Sequence, residues 1–268
     1  RDFCLSRGLG DVYKRQPNPP VVLVTGGAER IGAAIVRAFA GAGWHTVIHY
    51  RSSSDEADQL AAALPAASTI ACDLSVDGAP AKLAQQMAHR HENWRALVNC
   101  ASVFVPDDAT DLSSDVFEEA MRVNARAPAQ LAQAFLRLPP IAGSRRVIQV
   151  TDQKIANSNP DFFSYTMSKF ALHATVQMLA MGACGPGDRV YGLAPGAILP
   201  SHDQDDEEAE RSHRLNLLKR RTAAQEVADG ALFLSRGWLG NGQTLFVDSG
   251  QHLLDQPRDV IYLAREGH

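Results

Sequence analysis

Short apolar runs and amphipathic stretches alternate along this chain from Val21 onward. Val21-Val22-Leu23-Val24 is a continuous branched run, the pattern of a strand covered on both faces. It passes through Thr25-Gly26-Gly27 into a stretch whose apolar positions, Ile31, Ile35, Ala38 and Phe39, fall at helical spacing, and Gly41 and Gly43 end it. Further strands are predicted at 46–50, 69–72, 96–99, 147–150, 189–193 and 244–247, with helical patterns between nearly all of them. Seven strands alternating with helices specify an α/β fold: a Rossmann-like, doubly wound, parallel seven-stranded sheet with helices on both faces, in a single domain. Residues 1–16 carry no periodicity and precede Pro17-Asn18-Pro19-Pro20, so they read as a disordered or extraneous arm, leaving 17–268 as the domain.

Composition narrows the class of partner. The chain has 268 residues, 45% apolar and 21% charged, as expected of a globular protein with one substantial core. No apolar stretch approaches a membrane-spanning length and no signal-peptide pattern opens the chain, so a cytoplasmic location is expected. A net charge of −4 without a Lys/Arg stripe argues against nucleic acid. Cys4, Cys72, Cys100 and Cys184 are widely spaced and read as reduced. His89 and His91, two apart, do not share a helix face, so no metal site is expected.

Three candidate sites lie at predicted strand ends. In Thr25-Gly26-Gly27-Ala28-Glu29-Arg30-Ile31-Gly32, glycines let the backbone approach a pyrophosphate, whose charge would meet the positive end of the following helix. A tight turn without a ligand would show some of the same residues. Arg30 stands where the usual pattern has its middle glycine. The second strand ends in His49-Tyr50-Arg51-Ser52 with no carboxylate, which suits a ribose 2′-phosphate held by Arg51 and Ser52 and points to NADPH. The alternative is a solvated Arg51. Asp73-Leu74 follows the third strand, where a carboxylate could reach an adenine amino group. The third site joins Asn99-Cys100-Ala101-Ser102, Asn124 on a helix, and Asp152 with Tyr165-Thr166-Met167-Ser168-Lys169. Tyr165 and Lys169 are four apart, so on a helix the ammonium sits beside the phenol and should favour its ionised form.

Together with Pro195-Gly196 and Val247-Asp248-Ser249-Gly250, these residues resemble the short-chain dehydrogenase/reductase family over nearly the whole length, from about Val21 to Leu253. The resemblance implies a proton relay of Asn124, Tyr165 and Lys169, with Lys169 also holding the nicotinamide ribose. It implies a cofactor site of Thr25, Gly26, Arg30, Ile31, Gly32, Arg51, Ser52, Asp73, Leu74, Asn99, Ala101, Ser102, Tyr165, Lys169, Pro195 and Gly196, and a homotetramer. Most members carry Ser where this chain has Asp152, and Thr151 is the only neighbouring hydroxyl. A carboxylate pairs poorly with a substrate carbonyl but well with the N–H edge of a nitrogen heterocycle. Asp152, Arg30, Ser102 and Phe104 resemble the pteridine and dihydromonapterin reductase branch, which implies a pterin stacked on Phe104 with Arg30, Ser102, Asp152 and Tyr165 at its polar edge. Phe104 could instead be plain core, but Pro106-Asp107-Asp108 after it marks a loop. The expected activity is NADPH-dependent reduction of a dihydropterin. A carbonyl or 3-ketoacyl reductase and a catalytically silent NADP-binding sensor are the alternatives. The acidic run 203–210 reads as part of a mobile, substrate-covering loop at about 197–215, and Asp259-Val260-Ile261-Tyr262-Leu263 as a tail packed on a neighbouring subunit.

Overall fold

The computed structural model describes residues 18–139, 143–200 and 204–266; the expected arm, 1–16, lies outside them. The chain runs β1 (Val21–Thr25), α1 (Arg30–Gly41), β2 (His45–Tyr50), α2 (Ser54–Ala62), β3 (Ala67–Ala71), α3 (Ala79–Arg90) and β4 (Trp94–Asn99). It continues through α4 (Ser114–Ala120), a π-helical turn (Met121–Arg126), α5 (Ala127–Leu136), β5 (Arg146–Val150), a 3₁₀ turn (Gln153–Ile155), α6 (Phe163–Gly182) and β6 (Arg189–Pro195). Then follow α7 (Asp206–Ser212), α8 (Ala224–Ser235), β7 (Thr244–Val247) and α9 (Val260–Glu266). All strand pairs are parallel, in the order β3-β2-β1-β4-β5-β6-β7.

The branched run of β1 shows why the sheet is sandwiched. Val22 and Val24 point into one core with Ile35, Val36 and Phe39 of α1 and Val227 and Ala231 of α8. Val21 and Leu23 point into the other, with Leu83 and Met87 of α3, Leu131 and Phe135 of α5 and Val176 of α6. Each such side chain contributes about 1.5–3 kcal/mol on burial, so neither face of β1 can be given to water. The strand order reverses between β1 and β4, which opens a crevice beyond their carboxyl ends.

Two segments show contacts that the sequence pattern did not indicate. The described part of the acidic run is the start of α7. Asp205 caps it by accepting from the Glu208 amide at 2.7 Å, and Asp206, Glu207 and Glu208 sit in its first turn, where the helix dipole favours negative charge. Glu208 also pairs with Arg265 of α9 at 3.3 Å, so this stretch is a docked helix; Asp203 lies outside the described residues. The C-terminal segment folds back on its own chain: Ile261 packs on Phe162 and Tyr165, with Tyr262 against the same cluster.

Candidate active site

The crevice deepens into a cavity of about 500 Å³. Its walls come from the β1–α1 turn, the loops after β4, β5 and β6, one face of α6, the end of α7 and the start of α9.

At the β1–α1 turn, Gly26 has φ +62°, and a Cβ there would stand 2.9 Å from the Ala101 Cα; on Gly32 it would lie 2.0 Å from the Gly26 carbonyl oxygen. Gly26 therefore lets the turn close onto the loop after β4, and Gly32 lets α1 pack directly against the turn. No side chain caps α1, and Arg30, Ile31 and Gly32 line the cavity, so the helix's positive end faces it. This arrangement fits an anionic phosphate group. Arg30 holds a left-handed backbone, φ +52°, unusual for a residue with a Cβ. Its guanidinium donates to the Pro200 carbonyl at 3.0 Å, reaching across the mouth of the cavity.

A residue without a signal in the sequence fixes this turn. His49, buried in β2, accepts from the Gly26 amide at 3.1 Å through Nδ1 and donates from Nε2 to the Cys72 carbonyl at 3.0 Å. Burial brings its pKa down to about 4, so the ring is neutral and holds the tautomer these bonds need.

Several residues expected at the cofactor do not line this cavity. Thr25 is buried, and its hydroxyl accepts from the amides of Cys100 and Ala101 at 3.0 and 3.1 Å, bracing the ends of β1 and β4. Asn99 donates to Gln149 at 2.8 Å across the sheet, and Leu74 is core. Neither Thr25 nor Asn99 lines the cavity. Arg51 and Ser52 are exposed beyond it, with Arg51 3.9 Å from Glu119. The Asp73 carboxylate accepts from the Ser75 hydroxyl and amide at 2.7 and 2.9 Å, which lowers its pKa.

At the heart of the cavity the Tyr165 hydroxyl donates to Asp152 Oδ2 at 2.6 Å, and Asp152 Oδ1 accepts from the Lys154 amide at 2.9 Å. Lys169 Nζ donates to the Val150 carbonyl at 2.9 Å and lies 5.5 Å from the centre of the Tyr165 ring. The expected influence of Lys169, toward an ionised phenol, is outweighed. Burial and the adjacent Asp152 carboxylate push the Tyr165 pKa well above its usual value, while burial lowers that of Lys169. Burial also raises the pKa of Asp152, opposed by the Tyr165 hydrogen bond. The pair is thus a buried carboxylate facing a phenol that keeps its proton.

Asn124, expected in the relay, makes no direct hydrogen bond to Tyr165 or Lys169 among the described residues. Its Oδ1 accepts from the Val103 amide and the Ser102 hydroxyl at 2.8 and 3.1 Å, and its Nδ2 donates to the Val103 carbonyl and the Ser168 hydroxyl at 2.9 and 3.0 Å. From the π-helical turn it ties the loop after β4 to α6, one residue before Lys169. Phe104 does line the cavity, but one face is already stacked on Phe162, with centroids 4.0 Å apart, and Tyr165 meets it edge-on at 4.7 Å. Asp107, in the loop after β4, caps α6: its carboxylate accepts from the Ser164 amide at 3.0 Å and from the Ser164 hydroxyl.

Comparisons with known proteins place this geometry. The family model described as "Enoyl-(Acyl carrier protein) reductase" matches residues 26–252. The chain is 30% identical over 247 residues to the granaticin polyketide synthase putative ketoacyl reductase 2 of Streptomyces violaceoruber, covering 89% of this chain and 98% of that protein. It is 28% identical over 242 residues to the dihydromonapterin reductase of Citrobacter koseri, covering 90% and 99%. Among solved structures, FolM alternative dihydrofolate reductase 1 from Brucella canis, complexed with NADP, superposes with a TM-score of 0.82 at 34% identity, covering 88% of this chain and 94% of that one. The uncapped helix behind the glycine turn, the buried Tyr165–Lys169 face and these matches lead to one conclusion: the chain belongs to the short-chain dehydrogenase/reductase family.

Proposed function

We propose that this protein reduces a dihydropterin, of the dihydromonapterin or dihydrobiopterin type, to the tetrahydropterin with NADPH. The carrying observation is Asp152: a carboxylate hydrogen-bonded to Tyr165 in the cavity wall, where a carbonyl reductase needs a hydroxyl donor. Thr151 does not supply that hydroxyl, because it is buried and donates to the Leu193 carbonyl at 3.2 Å. The dihydromonapterin reductase and alternative dihydrofolate reductase relatives support the same substrate class. The ketoreductase reading is favoured by the likeness to the granaticin protein and opposed by Asp152.

The glycine turn and the start of α1 would take the pyrophosphate, Arg51 and Ser52 the 2′-phosphate, and Lys169 the nicotinamide ribose with the donors it does not spend on Val150. Bound NADPH supplies the hydride. Tyr165 holds a proton at its hydroxyl for the ring nitrogen beside the reduced carbon, and Asp152 orients that proton and accepts from the heterocycle's N–H edge. The open face of Phe104 offers a stacking surface.

Asp152→Ser separates the readings. One charge-assisted hydrogen bond contributes about 1.5–3 kcal/mol, so kcat/KM for dihydropterins should fall roughly 10- to 150-fold. A ketone reductase would tolerate or gain from the same change. NADPH oxidation measured with a panel of dihydropterins, dihydrofolate and ketones reads the result; unchanged dihydropterin reduction in the Ser variant would move the assignment to ketones.

A further inference from the structure

A buried ion pair stands beside the site. Lys154, two residues past Asp152, meets Asp259, just before α9, at 2.8 Å, with side chains 4% and 9% exposed. Both residues line the cavity. An ammonium has three N–H donors, and those of Lys154 have three acceptors: Asp259 Oδ2, Asn159 Oδ1 at 2.7 Å and the Asp161 carbonyl at 3.3 Å. None is left for a substrate, so Lys154 acts through what it holds. Its own amide donates to Asp152 Oδ1. The Asp259 amide donates to Asp161 Oδ2 at 2.7 Å, Arg258 Nε pairs with the same carboxylate at 2.9 Å, and Asp259 Oδ1 accepts from the Ile261 amide at 3.0 Å. These bonds seat Ile261 against Tyr165.

We propose that Lys154 is a positioning residue for the reduction. Through Asp259 it fastens the segment from Arg258 to Ile261 as a wall of the substrate pocket, and through its amide and its charge it sets the Asp152 carboxylate against Tyr165. The inference rests on the reductase reading but not on which substrate is reduced. The charged and titratable groups facing the relay are Lys154 and Lys169 on one hand and Asp259 and Cys100 on the other. Arg258 and Asp161 complete the tail side. Lys154 and Lys169 draw Asp152 toward its ionised form, while Asp259 helps keep the proton on Tyr165. Removing one partner of a buried pair strands the other charge, whereas replacing both with apolar side chains of similar volume is often tolerated.

The test uses the full chain, the substrate that the wild type reduces best, and the variants Lys154→Met and Lys154→Met with Asp259→Leu. Lys154→Met should raise the substrate KM about 10-fold. It should also move the acid limb of kcat/KM upward by about one pH unit, since Asp152 loses a neighbouring cation. The NADPH dissociation constant, read by fluorescence titration, should stay within about 2-fold. The double variant should recover thermal stability and keep the displaced acid limb. An acid limb that stays at the wild-type position in the double variant overturns the proposal, whether or not the single variant folds. So does equal loss of NADPH and substrate affinity in a folded Lys154→Met. A wild type that reduces only ketones would refute the dihydropterin reading and leave this test intact.

Discussion

Acid should loosen the cofactor turn through His49. The ring is buried, accepts from the Gly26 amide and donates to the Cys72 carbonyl, and its pKa is about 4 against 6.5 for the free side chain. Protonation would give the ring a second N–H, at Nδ1, facing the Gly26 N–H, and so break the bond that holds the turn. Because the folded pKa is lowered, the unfolded chain takes up the proton first. The contribution of neutral His49 is therefore fully present above pH 6.5 and is lost as pH falls toward 4. The whole interval, 2.5 pH units at 1.36 kcal/mol each, corresponds to about 3 kcal/mol, of which about 2 kcal/mol is already gone at pH 5. Urea unfolding of the wild type and of His49→Gln between pH 8 and 4 isolates this contribution, because the other histidines with lowered pKa values, His45, His91, His173 and His213, titrate in both proteins. The wild type should lose about 2 kcal/mol more than the variant between pH 8 and 5, and NADPH affinity should fall over the same range in the wild type. Parallel stability curves for the two proteins would refute the assignment of the pH dependence to His49.

Other residues carry separate expectations. Tyr165→Phe should cut kcat about 100-fold with NADPH binding nearly intact, since the ring stays and only the proton source is lost; wild-type turnover in stopped-flow assays would exclude Tyr165 as the donor. In the wild type no alkaline limb from Tyr165 should enter the rate profile below pH 10, as burial and Asp152 hold its proton on. Arg51→Asp should weaken NADPH relative to NADH by about 1.5–3 kcal/mol and reverse the preference, which the ratio of kcat/KM for the two cofactors measures. Asp107→Ala should cost about 1 kcal/mol through the lost cap of α6, visible as a lower thermal midpoint, and should raise the substrate KM because Tyr165 lies one residue past the capped Ser164.

The sequence by itself determined the layered sheet, because a parallel strand covered on both faces must be apolar at every position, and Val21 to Val24 is. It also determined that Tyr165 and Lys169 share a face, since that follows from helical pitch alone, and β7 falls on the residues predicted for it. These features are periodic, and burial writes a period into a chain. The tertiary structure alone decided which polar groups meet. Asp107 caps a helix from 57 positions away, His49 on β2 ties the turn after β1 to the residue after β3, and Lys154 finds Asp259 on a tail that the apolar pattern had suggested for another subunit. Such contacts join isolated loop and strand-end residues, whose sequence positions carry no period to read. The same holds for the sign of the Tyr165 shift: spacing showed the nearby ammonium, but desolvation and the Asp152 carboxylate, which only folding brings within 2.6 Å, outweigh it and keep the phenol protonated.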